Sequence, residues 1–223
     1  MICAEHGHVM YTQAKESDYG ENVGSGALQS SGLGEVWKKV KDLKRPVFVD
    51  MAPYAPSKNA PTMFLGAPIM MDGQMKSIVV FQISDRSVNK IMQYRTGYGD
   101  SQEDYLVGQD KLMRSDSFLD PKEQSLNASF ANPATGSCDT LASRNALNGQ
   151  RNTEIIIDYN GNPVLSSYAP IQIGEDLKWA ILSEIDEAEV LLVPNSIRNS
   201  LLLISVIVLI IVVIVKKKLK ETG

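Results

Sequence analysis

Residues 201–215 read LLLISVIVLIIVVIV without one charged side chain, and the run stops against Lys216-Lys217-Lys218-Leu219-Lys220. As a helix this stretch is roughly 22 Å long, and a hydrocarbon core of about 30 Å prefers about 20 residues. Extending the helix back through 197–200 closes most of that gap. Arg198 can reach headgroups at one end and the lysines at the other. β-Branched residues cover every face, so there is no amphipathic stripe of the kind a surface helix needs. A transmembrane helix over 197–215 is therefore expected. Four lysines follow it within five residues, against the single Arg198 before it. The positive-inside rule places residues 216–223 in the cytoplasm as a basic stub and the preceding residues outside.

An external N-terminal domain needs an export signal. Met1 opens instead on ICAEHGHVMYT, with no basic n-region and no long apolar h-region. The expectation is an N-terminally truncated piece of a longer chain.

The remaining residues, about 195, suffice for one large or two small domains. A net charge of −4, with basic residues scattered apart from the membrane flank, argues against nucleic acid as a partner. Cys3 and Cys138 lie far apart and neither has a C-x-x-C mate, which supports neither metal nor redox chemistry. His6 and His8 would share a strand face but have no third ligand nearby. Asp104, Asp110, Asp116 and Asp120 fit no EF-hand spacing. Ser115 and Ser117 sit in RSDS, outside any nucleophile elbow, and no glycine-rich phosphate loop is present. No catalytic residue, cofactor or metal is expected, and the chain reads as a non-enzyme.

Periodicity organises the rest. Residues 2–4 and 9–12 flank His6-Gly7 as a hairpin, and a polar Gly/Ser-rich loop covers 17–32. Leu33, Val36, Trp37, Val40 and Leu43 recur at helical spacing, which predicts a helix over 33–44 ended by Pro46. Strands follow at 47–51, 62–70 and 77–84, the last the most apolar and expected to be central, with a hairpin turn at Asp72-Gly73. Asp85 is a candidate cap for a helix over 86–94. The pattern then restarts, with a strand at 105–107, a turn at Gln109-Asp110, residues 112–115, a short helix near 139–148, and strands at 153–159, 164–169 and 177–185. Ala67-Pro68-Ile69 matches Ala169-Pro170-Ile171 and Lys76 matches Lys178, both at a shift of 102, while Val9-Met10 matches Leu112-Met113 at 103. Matches at one near-constant shift argue for two copies of one module. Each copy is expected to be an antiparallel sheet with helices and long loops on its faces, an α+β fold.

YTQAKESDYGENV, DMAPYAPS, YLVGQDKLMRSDS, TEIIIDYNGNPVLSSYAPI and LKWAILSEIDEAE resemble the extracytoplasmic double Cache sensor of bacterial methyl-accepting chemotaxis proteins. The resemblance covers nearly all of residues 1–193. It implies two tandem PAS-like (Cache) modules followed by one transmembrane helix: a membrane-distal module with its connecting helix at 1–94, a membrane-proximal module at 95–193, then the span. It further implies a region at the inner membrane that passes small-molecule binding to a cytoplasmic output as part of a homodimer. The partners expected are an unidentified small-molecule ligand and the lipid bilayer. Similar sensors sit on histidine kinases and cyclases, and a membrane-tethered solute-binding module without signalling output is the alternative. In this family the distal module holds the ligand between its central sheet and covering loops. Mapped here, that pocket draws on Asp50, Tyr54, Phe64 and Gln82. The Arg-x-Trp pair of amino-acid-sensing members is missing, and Gln82 stands roughly where their strand Asp is expected.

Overall fold

A computed structural model describes residues 1–221, so the last two residues of the 216–223 stub lie outside the described residues. Two four-stranded antiparallel sheets follow one another along the chain. The first contains β1 (Ile2–Cys3), β2 (Val47–Tyr54), β3 (Ala60–Met71) and β4 (Gln74–Ser84), in the spatial order β1-β4-β3-β2. The second contains β5 (Glu103–Val107), β6 (Asn152–Ile157), β7 (Pro163–Ile173) and β8 (Leu177–Asp186), in the order β5-β8-β7-β6. The second order is the first with every strand advanced by four, so the duplication read from short sequence matches recurs in topology. As expected from its apolarity, β4 is an interior strand.

In the first sheet α1 (Gly32–Leu43) lies across one face. Ser31 caps it, its hydroxyl accepting from the Gly34 amide at 3.3 Å, and Lys44 ends it in the left-handed conformation at φ 55°. Val36 and Val40 are fully buried against the sheet. Their approach depends on Gly66 of β3, where an added Cβ would sit 2.7 Å from Val36 Cγ2 and 3.0 Å from Val40 Cγ2. The turn between β3 and β4 has Asp72 at φ 51° and Gly73 at φ 75°, the paired positive angles a tight hairpin demands. In the second sheet α5 (Leu141–Leu147) takes the place of α1, and its small Ala142 and Ala146 bring it close to the strands.

Three further helices join the sheets: α2 (Asp85–Met92), α3 (Leu126–Ala131) and α4 (Pro133–Gly136). Sequence periodicity showed α2, but α3 and α4 are too short for it and were expected as a polar stretch. Asp85 is not the cap of α2. Ser84 holds that position without a side-chain cap, and the Asp85 carboxylate accepts instead from the Arg86 amide at 2.7 Å and from Asn127 Nδ2 at 2.9 Å. The hairpin expected at the N-terminus is reduced to a short β1 and a single bridge from Ile2 to Val9.

A third apolar core lies between the sheets. Met51 and Met63 from the first meet Leu106, Leu126 and Trp179 from the second half, with Phe48, Ile83, Ile171 and Ile181 packed around them. Fully burying each such side chain contributes about 2 kcal/mol, so the two halves are held as one body. β2 is the outer strand at this seam, and its register with β3 shifts between Val49 and Ala52. After β8 a single turn, α6 (Glu187–Val190), leads into α7 (Leu192–Glu221). α7 is exposed from residue 192 to residue 220 except at the half-buried Asn195, and has a mean hydropathy of 2.8 over its apolar window. It is long and apolar enough to cross a bilayer.

Candidate functional site

A cavity of about 610 Å³ opens on the face of the first sheet that α1 covers in part. That volume suits a small organic molecule. Phe64 and Gln82 are direct cross-strand partners on β3 and β4, so their side chains share this face. The loop from Tyr11 to Asp18 forms the opposite wall, while Leu33 of α1 and Val80 of β4 add apolar surface. Tyr11 and Phe81 are exposed at the rim.

The four residues expected at a ligand site divide here. Phe64 is buried, with its ring edge-on to Tyr54 at 5.0 Å between centroids. Gln82 lines the cavity and donates from Nε2 to Ser57 Oγ at 2.8 Å. Tyr54 lies directly behind the wall, and its hydroxyl donates to Asp18 Oδ2 at 3.1 Å. Burial, and then the Asp18 charge, push the Tyr54 phenol well above its ordinary pKa, so it stays a donor. Asp50 does not line this cavity. It sits four residues back along β2, at the seam between the sheets.

At that seam Asp50 Oδ1 accepts from Arg114 Nε at 2.9 Å and from Trp179 Nε1 at 3.0 Å, and Oδ2 accepts from Arg114 Nη2 at 2.8 Å. Arg114 is 2% exposed on its side chain and also donates to Asp110 Oδ2 at 3.0 Å. A forked guanidinium on a carboxylate is among the strongest and most directional of polar contacts. A second clamp lies nearby. Arg45 grips Asp176 through two bonds of 2.8 and 3.2 Å, and the Phe48 amide donates to the same carboxylate at 3.0 Å. Hydrogen bonds from Arg45 hold the Asp176 carboxyl below its ordinary pKa.

Sequence reasoning passed over Asp18 and Arg114. Asp18 lies in a polar loop without periodicity. Arg114 follows a buried strand pattern, Met113 to Ser115, in which a charge is read as a solvated exception.

The second sheet encloses a network of acids and phenols, and a cavity of about 510 Å³ lies outside it between α5 and β6. Glu103 and Glu184 face each other across β5 and β8. Glu184, 3% exposed, accepts from Tyr105 Oη at 2.7 Å and from Ser166 Oγ at 2.7 Å. Glu103 accepts from Tyr159 Oη, and from Ser117 Oγ at 2.8 Å. Burial, helped by the charges of Asp158 and Glu103, raises the Glu184 pKa against the effect of its two hydrogen bonds. A carboxyl that holds its proton more tightly folded than unfolded loses stability as pH rises from the unfolded value through the folded one. The Glu184 contribution to the unfolding free energy should therefore fall as pH rises above about 4.5, and Glu184→Gln should flatten that slope. Urea midpoints across this range test it, and an unchanged slope in the variant would refute it. Cys138 is buried beside Tyr105, and its thiol is pushed up to about 12, which leaves it unreactive. His6 and His8 contact each other through Nδ1 at 3.0 Å. No group of three metal-ligating side chains occurs among the described residues.

No family model matches the chain, and no curated protein does. Among solved structures it is similar to the extracellular domain of a protein assigned as a histidine kinase, mmHK1S-Z3 (TM-score 0.46, 18% identity, 69% of this chain and 54% of that one). It is also similar to the ligand-binding domain of the Pseudomonas fluorescens chemoreceptor CtaA in complex with L-isoleucine (0.45, 13%, 69% and 57%). A third is the ligand-binding domain of the Pseudomonas aeruginosa amino-acid chemoreceptor PctB in complex with L-Arg (0.46, 18%, 73% and 58%). The chain thus spans between 54% and 58% of the length of these three.

Proposed function

We propose that this chain is the extracytoplasmic ligand-sensing region of a chemotaxis-type transmembrane signal transducer. The modules are residues 1–94 and 95–193, the span is 197–215, and the working state is a homodimer in the inner membrane. The supporting observation is a continuous path from cavity to helix. Tyr54 meets the cavity through Asp18. Asp50, on the same strand, holds Trp179 of β8, and β8 runs through one turn into α7. A solute that favours one packing of the distal sheet biases the position of α7 by its differential affinity for the two packings.

The test joins residues 1–223, behind a signal anchor, to a chemoreceptor cytoplasmic domain. Kinase output is then read against organic acids, amines and amino acids. At least one class should shift it. A folded, inserted fusion that stays silent to all of them would overturn the proposal.

A further inference from the structure

We infer that the distal cavity selects a small organic cation with an apolar body, anchored by the carboxylate of Asp18. This rests on the cavity being the sensor's ligand site.

Asp18 is 6% exposed and lines the cavity. Its Oδ2 accepts from Tyr54, but its Oδ1, also buried, has no hydrogen-bond partner among the described residues. A buried carboxylate oxygen left without a donor is costly, and a charged donor relieves that cost best. Nothing already in place supplies it. No Lys, Arg or His side chain is among the described residues lining the cavity. The Met1 ammonium borders it but donates to the Tyr11 carbonyl at 2.6 Å. Burial lowers the pKa of that ammonium, and the Asp18 charge offsets the effect only in part. A ligand carboxylate would find no cationic side chain among the described lining residues, only the Met1 ammonium already bonded to Tyr11, and would face Asp18. A ligand ammonium would meet the free oxygen, while its carbon body lay against Leu33, Phe64 and Val80. Phe64, buried in the wall, favours an aromatic or branched body.

Three probes of similar body and different charge separate the possibilities: 2-phenylethylammonium, 2-phenylethanol and 3-phenylpropionate. Each is titrated by calorimetry into the full chain in lipid nanodiscs. The ammonium should bind at least about tenfold more tightly than the alcohol, as expected for a hydrogen bond to a charged group, and the carboxylate should give no heat of binding. Asp18→Asn should remove the preference, bringing ammonium and alcohol to within about threefold. The wild-type series stands by itself if that variant does not fold. Equal binding of ammonium and alcohol, or tightest binding of the carboxylate, would overturn the cation assignment and leave the cavity as a ligand site. If none of the three binds while the kinase fusion answers another class of solute, the cation assignment falls and the sensor reading stands. If none binds and the fusion is silent to every class, both fall.

Discussion

Arg114→Ala should lower the unfolding free energy by about 3 kcal/mol, the cost of breaking a buried ion pair from one side. The guanidinium is held by Asp50 and Asp110 and lies 5.1 Å from the Phe130 ring centroid and 5.9 Å from that of Trp179. Its removal leaves a cavity in the seam and an Asp50 carboxylate whose remaining donors, Trp179 and the Met51 amide, both reach Oδ1 and leave Oδ2 without its partner. Asp50 and Asp110 are partly open to solvent, at 28% and 43% side-chain exposure, so water recovers some of the loss. This keeps the expected figure at the low end of the range for buried pairs. Adding Asp50→Ala to Arg114→Ala should cost less than the two single changes together, since Asp50 no longer remains as a carboxylate without its guanidinium. Urea denaturation of the four proteins closes the cycle. A loss below about 1 kcal/mol for Arg114→Ala would mean that this ion pair does not help to join the halves.

The second large effect lies in α7. Replacing Ile207 and Ile211 with aspartate puts two carboxylates one turn apart near the middle of the apolar run. Each costs about 3 kcal/mol in a span centre. The double variant should leave the membrane fraction, whereas the parent should resist alkaline carbonate extraction. A double variant that still sediments with membranes after extraction would show that this helix does not cross the bilayer.

These two changes also mark where the sequence was legible. The span was written in composition alone, because lipid demands one simple property over a long run. The duplicated sheets were legible because strands carry short-range patterns, and Ala67-Pro68-Ile69 and Ala169-Pro170-Ile171 mark equivalent places on β3 and β7. The pairing of Phe64 with Gln82 followed from the same hairpin. The long-range polar contacts were not legible. Arg114 finds Asp50 across 64 residues and Asp18 finds Tyr54 across 36, and no local periodicity encodes such a meeting. Asp50 was expected at a ligand because the family resemblance maps the distal pocket onto it. The structure gives it another charge to hold.

β2 has a consequence beyond linking Tyr54 to Asp50. It is the outermost strand of its sheet, and such a margin offers free amides and carbonyls to any extended peptide that drifts against it. Here Pro53 takes away one donor, the slipped register at Val49–Ala52 bends the ladder, and the ion pair at Asp50 covers its middle. The strand is thus a poor template for growth outward, which guards the chain against edge-to-edge aggregation.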